Sequence, residues 1–206
     1  MKICIIDTGS ANLNSVNQAV KRLGVSPEIS NDLEVLASAD KLILPGVGSA
    51  ISVMNGVRKY NLKDFILNTK KPLLGICLGM QIQAKDSEEV PLGSSAKVEP
   101  TLGIVDGHVH KLQTCGLTLP HMGWNTVKHT DHPLFDGIKQ DAFFYFDHSF
   151  ALDIGEFTIG ECEYGERFTA ASGHNNFLGV QFHPEKSGAA GAALLSNFIH
   201  NFEESK

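Results

Sequence analysis

Short apolar runs alternate with helical stripes over residues 1–85 of the chain. The segments "KICIID", "SPEIS" and "KLILPG" each predict a strand, and between Leu13 and Leu23 apolar residues recur at helical spacing. Gly24 stands where a C-terminal helix cap belongs, and a helical pattern near residues 50–68 precedes the apolar run "PLLGIC". Strands that alternate with helices predict an α/β fold with an open, mostly parallel sheet.

The pattern becomes richer in β-strand signals after a polar segment at residues 85–100, which predicts a surface loop. "GIVDGHVHKL", "MGWNTVKH", "AFFYFDHSF" and "EFTIGECEYG" predict added strands, and "RFTAAS" and "FLGVQFHPE", joined by "GHNN", predict an antiparallel hairpin. A closing helix is predicted from about residue 188 to 203. No internal repeat or linker divides the chain, so we expect one domain spanning residues 1–206.

Composition and charge narrow the class of protein. The chain is 42% hydrophobic with a net charge of -6, which provides no basic surface for nucleic acid or for an anionic membrane. The first apolar stretch, Ile3 to Ile6, is too short for a signal peptide or a membrane span, so we expect a cytoplasmic protein. Four scattered cysteines without CxxC spacing predict neither a metal site nor a disulfide framework, and no motif indicates a cofactor.

A cysteine flanked by glycines follows the apolar run at Leu73 and Leu74. Gly75-Ile76-Cys77-Leu78-Gly79 is the cysteine form of G-x-S-x-G, a sharp strand-to-helix turn that exposes a nucleophile. A helix N-terminus favours a thiolate, and the backbone N–H of Leu78 is a candidate donor to an oxyanion. The alternative is that Cys77 is a small buried apolar residue.

A base that could serve this cysteine occurs in "QFHPEKSG". His183 and Glu185 are two residues apart, which on an extended chain places both side chains on one face. A carboxylate beside a histidine fixes the tautomer and stabilises the imidazolium. The alternative is an isolated structural histidine.

Pro45-Gly46-Val47-Gly48 ends the third predicted strand. In open α/β sheets ligands bind at this carboxyl edge, and the two glycines leave the peptide units around Val47 free to turn an N–H inward. A dinucleotide-binding G-x-G-x-x-G motif is excluded, because Ile51 stands where the last glycine is required.

Together these stretches resemble the triad-type class I glutamine amidotransferases. The resemblance runs from the first strand to the last helix, through "DTGSANLNS", "LPGVG", "GICLGMQ", "LPHMGWN", "FYFDHSF" and "GVQFHPEKSGAAG". "HMGWN" and "ANLNS" are similar to the branch of the family that works in histidine biosynthesis. The resemblance implies a flavodoxin-like open sheet, a glutaminase activity and no cofactor.

The resemblance also implies a role for each candidate site residue. Cys77 would attack the side-chain amide of glutamine, His183 would transfer the proton, and Glu185 would orient the histidine. The oxyanion site would consist of Gly46, Val47, Gly48 and Leu78, and the side chain of glutamine would be held with the help of Gln81, His148, Ser149 and Phe150. Asp147 and Phe150 depart from the family pattern, which tends to have an apolar residue and often a tyrosine there. The strand pleat places Asp147 on the opposite face from Phe146 and His148.

The ammonia produced requires a consumer, and the chain carries no phosphate-binding glycine loop of its own. The resemblance implies that the partner is a (β/α)₈-barrel cyclase subunit. Trp124, Met122 and Tyr145 are candidates for the contact surface, since aromatic anchors are enriched at interface hot spots, and core packing is the alternative. Two other functions stay open: a glutaminase serving another synthase, such as that of pyridoxal phosphate, and a non-catalytic flavodoxin-like binding module.

Overall fold

Five parallel strands form the central part of the sheet. The computed structural model describes residues 1–9, 12–91 and 93–202. The strands lie in the order β2-β1-β3-β4-β13, and each adjacent pair is parallel. They are β1 (Ile3–Ile6), β2 (Glu28–Ser30), β3 (Lys41–Gly46), β4 (Leu73–Cys77) and β13 (Phe177–Val180). β1, β3, β4 and β13 are buried throughout, as expected for strands covered on both faces.

Helices connect the first four parallel strands along the chain and follow β4 and β13. They are α1 (Leu13–Arg22), α2 (Leu33–Ala37), α3 (Ala50–Lys59), α4 (Leu62–Asn68), α5 (Leu78–Gln81) and α6 (Gly188–Ser196). The single helical stretch predicted near residues 50–68 is two helices, because Asn61 adopts a left-handed conformation with φ of 54°. α6 continues into a π-helical turn at Asn197–Asn201, and the rest of the predicted closing helix, from residue 203, lies outside the described residues.

Added strands extend the sheet beyond β13. They are β5 (Asp86–Ser87), β6 (Glu99–Pro100), β7 (His108–Lys111), β8 (His121–His129), β9 (Ala142–His148), β10 (Phe150–Leu152), β11 (Thr158–Tyr164) and β12 (Glu166–His174). β12 and β13 form the predicted antiparallel hairpin, and β12 also pairs with β10 and β11. β8 joins β11 to β9 by antiparallel pairing. The α/β class, with a parallel centre and added antiparallel strands, is confirmed.

The strand β9 shows how the pleat divides core from surface. Phe144, Phe146 and His148 are buried, while Phe143 is exposed and Tyr145 is partly exposed. Phe144 and Phe146 both contact the ring of Phe182, with centroids 4.1 and 5.7 Å away. The inner face of β9 therefore closes the core, and its outer face is at least partly exposed.

Candidate active site

Cys77 lies at the sharp turn between β4 and α5. It is the last residue of the strand and the N-cap of the helix, and its φ of 54° lies in a region that non-glycine residues rarely adopt. Such backbone strain concentrates at functional sites. The side chain is 5% exposed. The predicted sharp strand-to-helix turn at Cys77 is present in the fold.

The flanking glycines are required by close backbone approach. A Cβ atom on Gly79 would lie 1.7 Å from the carbonyl oxygen of Leu44, and one on Gly75 would lie 2.4 Å from the carbonyl oxygen of Gly79. Neither position can hold a side chain without moving the backbone. The glycines thus let strand and helix pack at the distance that the turn needs.

His183 and Glu185 form a buried pair next to Cys77. His183 Nδ1 and Glu185 Oε1 are 2.8 Å apart, and the two side chains are 5% and 3% exposed. The expectation that both residues sit on extended chain is wrong: β13 ends at Val180, and Glu185 belongs to a 3₁₀ turn at Pro184–Lys186. The turn, and not a strand pleat, brings the carboxylate back to the imidazole.

The backbone of His183 is held by two further contacts. Its N–H donates to the carbonyl oxygen of Tyr145 at 2.8 Å, and its own carbonyl accepts the Ser187 hydroxyl at 2.6 Å. The Ser187 oxygen in turn accepts the N–H of Tyr145 at 2.9 Å. The histidine is therefore fixed to β9, which also carries the next part of the site.

The surroundings of His183 favour its protonated form. Burial opposes protonation, but hydrogen bonds to Cys77 and Glu185 and the negative charges of those groups outweigh it and raise the pKa of His183 to about 10. At neutral pH the imidazolium contacts the Cys77 side chain and can donate a proton to a leaving group.

Most of the predicted site residues line one cavity of about 330 Å³. The cavity is lined by Val47, Gly48, Cys77, Leu78, Gln81, His148, Ser149, Phe150, His183 and Glu185. Gly46 is not in this lining, although it pairs with Cys77 across β3 and β4. A Cβ atom on Gly46 would lie 2.8 Å from the Cβ of Leu78. Gly46 therefore contributes to the site by leaving room for the turn at Cys77 and Leu78.

Two of the predicted glutamine-binding residues are connected through the backbone of a third. Gln81 Nε2 donates to the Phe150 carbonyl oxygen at 2.7 Å, and His148 Nδ1 lies 2.9 Å from the same oxygen. Burial lowers the pKa of His148 to about 3, so this histidine is neutral at physiological pH. The Oε1 atom of Gln81 is buried and has no partner within the described part of the chain.

The structure adds five cavity residues that were not among the predicted site residues: Asn12, Glu89, Pro120, Asp147 and Lys186. All except Glu89 lie within the motifs that carry the family resemblance. Glu89 comes from the polar segment that was predicted as a surface loop, and its Oε2 accepts the N–H of Ala50, the first residue of α3, at 2.6 Å. Burial raises the pKa of Glu89. No spacing or periodicity signals this residue, because only the fold brings its loop to the start of α3.

Two kinds of feature are missing from the part of the chain that the structure describes. Its His, Cys, Asp and Glu side chains form no group of three or more that could hold a metal ion, and no helix there is long and apolar enough to cross a membrane. Of the predicted motif "ANLNS", Ala11 lies outside the described residues, as does the preceding Ser10.

The family described as glutamine amidotransferase class-I matches residues 4–202. This match agrees with the geometry above, in which a cysteine at a strand-to-helix elbow contacts a histidine paired with a glutamate. The chain belongs to the class-I glutamine amidotransferase family.

Two relatives with high identity over nearly the full chain carry the same name. Imidazole glycerol phosphate synthase subunit HisH of Vibrio cholerae is 53% identical over 199 residues, which cover 96% of this chain and 97% of the relative. The HisH subunit of Escherichia coli K12 is 52% identical over 200 residues, covering 97% and 99% of the two chains.

Solved structures share the fold at lower identity. A putative GMP synthase protein from Thermoplasma acidophilum superposes with a TM-score of 0.74 at 20% identity, covering 97% of this chain and 92% of the other. A glutamine amidotransferase from Thermotoga maritima gives a TM-score of 0.67 at 14% identity, with coverage of 97% and 96%. These likenesses concern the fold.

Proposed function

We propose that this chain hydrolyses glutamine to glutamate and ammonia and passes the ammonia to the cyclase subunit of imidazole glycerol phosphate synthase in histidine biosynthesis. The observation that carries the proposal is the contact of Cys77, at its strained elbow, with the protonated His183 that is paired with Glu185. The names of the HisH relatives support the choice of synthase over another ammonia-using enzyme. The cytoplasm, where thiols stay reduced, suits a cysteine nucleophile.

The reaction proceeds in two halves. The Cys77 sulfur attacks the side-chain carbonyl carbon of glutamine, and His183 donates a proton to the amide nitrogen as the C–N bond breaks and ammonia leaves. His183 then takes a proton from water, whose oxygen attacks the thioester carbon, and glutamate leaves with release of the thiolate. Glu185 holds the imidazole orientation and stabilises its positive charge.

The cavity offers groups for each part of the substrate. The N–H of Leu78 and the Val47-Gly48 segment face the developing oxyanion. Gln81, His148, Ser149 and Phe150 line the place of the glutamine, and Gln81 and His148 hold the Phe150 carbonyl in position there. The carboxylate of Glu89 is suited to the α-ammonium group.

An exposed apolar surface on β8 and β9 lies next to the cavity and is suited to the partner. Met122, Trp124 and Phe143 are 61%, 55% and 57% exposed, and Trp124 meets Tyr145 edge-on with ring centroids 6.0 Å apart. Asp147, which pairs with Met122 across β8 and β9, lines the cavity itself. A molecule docked on this surface would cover the cavity mouth and prevent ammonia from being protonated in bulk water.

The partner that we propose for this surface is a (β/α)₈-barrel cyclase subunit. It uses the ammonia to convert a ribulose-phosphate-bearing aminoimidazole carboxamide intermediate into imidazole glycerol phosphate and AICAR. Trp124, Met122 and Tyr145 serve as apolar anchors at its interface.

The glutaminase is latent without this partner, because an uncoupled glutaminase would waste glutamine. Gly48 has φ of 95°, a conformation open to glycine, and Val47 is 37% exposed, so a peptide unit of this loop can rotate at low steric cost. Losing one oxyanion donor slows a reaction by about 10²–10³-fold.

Glutamine hydrolysis by the chain alone and with the liganded cyclase subunit tests the proposal. We expect very slow hydrolysis by the lone chain, and a rise in turnover with partner and ligand that far exceeds any change in KM. A lone chain that already turns over at the rate of the liganded complex would contradict latency. Absence of glutamine hydrolysis in the liganded complex would contradict the function itself.

A further inference from the structure

A second buried glutamine, Gln181, contacts the Cys77 sulfur. Its side chain is fully buried, and its Nε2 atom lies 3.8 Å from Cys77 Sγ, within hydrogen-bond range for sulfur. Phe182, the next residue, stacks on Phe144 in the core with ring centroids 4.1 Å apart. Gln181 and His183 therefore flank a residue that is turned into the core, and both contact the same sulfur.

The amide orientation of Gln181 follows from its neighbours. Gln81 Nε2 donates to the Phe150 carbonyl at 2.7 Å, and because a carbonyl only accepts, the atom of Gln81 at this point must be its nitrogen. The same nitrogen lies 2.9 Å from Gln181 Oε1. The oxygen of Gln181 thus accepts from Gln81, and its N–H side faces the sulfur.

The Phe150 carbonyl is held in place from the other direction by two neutral histidines. Burial lowers the pKa of His121 to about 4 and that of His148 to about 3. His148 Nδ1 donates to the Phe150 carbonyl at 2.9 Å, so its Nε2 must accept from His121 Nδ1 at 3.0 Å. His121 Nε2 then accepts from Asn125 Nδ2 at 3.3 Å. The donor directions along this chain of hydrogen bonds are consistent from end to end.

We propose that Gln181 is a further residue of the catalytic machinery, whose side-chain N–H donates to the Cys77 sulfur and stabilises its anionic form before attack and on release from the thioester. The proposal rests on the proposed function of Cys77 as nucleophile. A hydrogen bond to the charged form of a group favours that form. Since hydrogen bonds to charged groups are among the stronger ones, losing this N–H should slow reactions of the sulfur about tenfold at neutral pH.

Two substitutions and a matched control test this role. Gln181→Glu keeps the size of the side chain and the oxygen that accepts from Gln81, and it puts a carboxylate oxygen in place of the N–H group that faces sulfur. Gln181→Met removes both polar groups. Gln83→Met is the control, because Gln83 is also a buried glutamine near the elbow but donates to the carbonyls of Gly79 and Leu178. The readouts are alkylation of Cys77 by iodoacetamide between pH 6 and 9, melting temperature, and kcat and KM for glutamine in the complex.

We expect Gln181→Met to lose alkylation rate about tenfold at pH 7, and Gln181→Glu to lose at least as much because its carboxylate also repels a thiolate. Both should recover alkylation rate towards pH 9, where thiols ionise without help. Their kcat should fall with KM little changed. The Gln83→Met variant should lose less alkylation rate and less kcat than the Gln181 variants, at a melting temperature comparable to theirs. Folded Gln181 variants that match the wild type in alkylation and kcat would overturn the role of Gln181 alone. If wild-type Cys77 itself resists alkylation, the nucleophile assignment fails as well.

Discussion

Cys77 holds a backbone conformation that few side chains adopt, and the residues around it explain why the fold retains it. The φ of 54° aims the sulfur at His183 and Gln181. The motif G-x-C-x-G indicated Cys77 because its glycines are readable in sequence, and the His183–Glu185 pair in "QFHPEKSG" was needed to favour a nucleophile over a small buried apolar cysteine. Gln181 and Glu89 could not be predicted, since a buried amide and a loop carboxylate leave no periodic signal.

Replacing Cys77 by alanine should separate the two activities of the assembled synthase. Glutamine-dependent synthesis should be abolished, because no thioester can form, while synthesis from added ammonium salts should persist, because the cyclase needs only ammonia. Steady-state assays with each nitrogen source measure this. Cys115→Ala, at an exposed cysteine, is the control and should keep both activities. Loss of the ammonium-dependent activity in a folded Cys77→Ala complex would contradict the division of labour.

His183→Ala should reduce glutamine turnover by at least about 10²–10⁴-fold, the range expected when a general acid–base group is lost. Glu185→Gln should reduce it less, because the amide still occupies the position 2.8 Å from Nδ1 but no longer supplies charge. Single-turnover measurements in the liganded complex give both rates. Near-wild-type rates in both variants would show that the pair is structural.

At the scale of elements, the site depends on how closely α5 approaches the strands. Gly46, at the end of β3, pairs with Cys77, at the end of β4, and the missing side chain of Gly79 lets α5 lie against the carbonyl of Leu44. Periodicity predicted these strands correctly. It did not predict the break at Asn61 or the 3₁₀ turn that carries Glu185, because both depend on single backbone dihedral angles and not on a repeating pattern.

Gly79→Ala should destabilise the protein by about 3 kcal/mol or more, since the new methyl group would meet backbone atoms that cannot move aside cheaply. Gly173→Ala is the matched control, because the nearest atom to its new methyl group would be a side-chain atom, the Cγ2 methyl of Ile159 at 3.3 Å, and not backbone. The Gly173→Ala substitution should lower the free energy of unfolding by less than about 1 kcal/mol. Chemical denaturation of both variants gives the comparison, and equal stabilities would refute the account of the elbow.

At the scale of the whole molecule, the topology assembles the site from distant segments. β13 lies beside β4 in the sheet, so the segment that follows it brings Gln181 and His183 to Cys77, about half the chain away in sequence. The α/β class and the hairpin were predictable from pattern. The order of the strands in the sheet was not predictable from pattern, because it depends on which nonlocal pairings bury the most apolar surface. The expectation of a flavodoxin-like sheet came from the resemblance to a known family.

The two buried neutral histidines make the stability of the whole domain sensitive to acid. The unfolded chain binds protons on His121 and His148 below about pH 6.5, while the folded chain binds them only near pH 4 and 3. Their contribution is therefore fully present above pH 6.5 and is lost as the pH falls towards 4, by about 1.4 kcal/mol per pH unit for each histidine.

Urea unfolding at pH 7 and pH 5 measures this loss. His121→Phe should show a shallower fall than the wild type, because a phenyl ring can keep the stacking on Tyr164, where the ring centroids lie 4.0 Å apart, without titrating. The same pH dependence in both proteins would mean that His121 is not held neutral by burial.

The most direct test of the central claim is covalent labelling with a glutamine-analogue electrophile, followed by peptide mass spectrometry. Applied to the complex with its ligand, the label should modify Cys77 stoichiometrically, and excess glutamine should protect it, although Cys115 is the exposed cysteine. Labelling at Cys115 in place of Cys77, or labelling of Cys77 that glutamine does not slow, would contradict the assignment of this chain as a glutaminase.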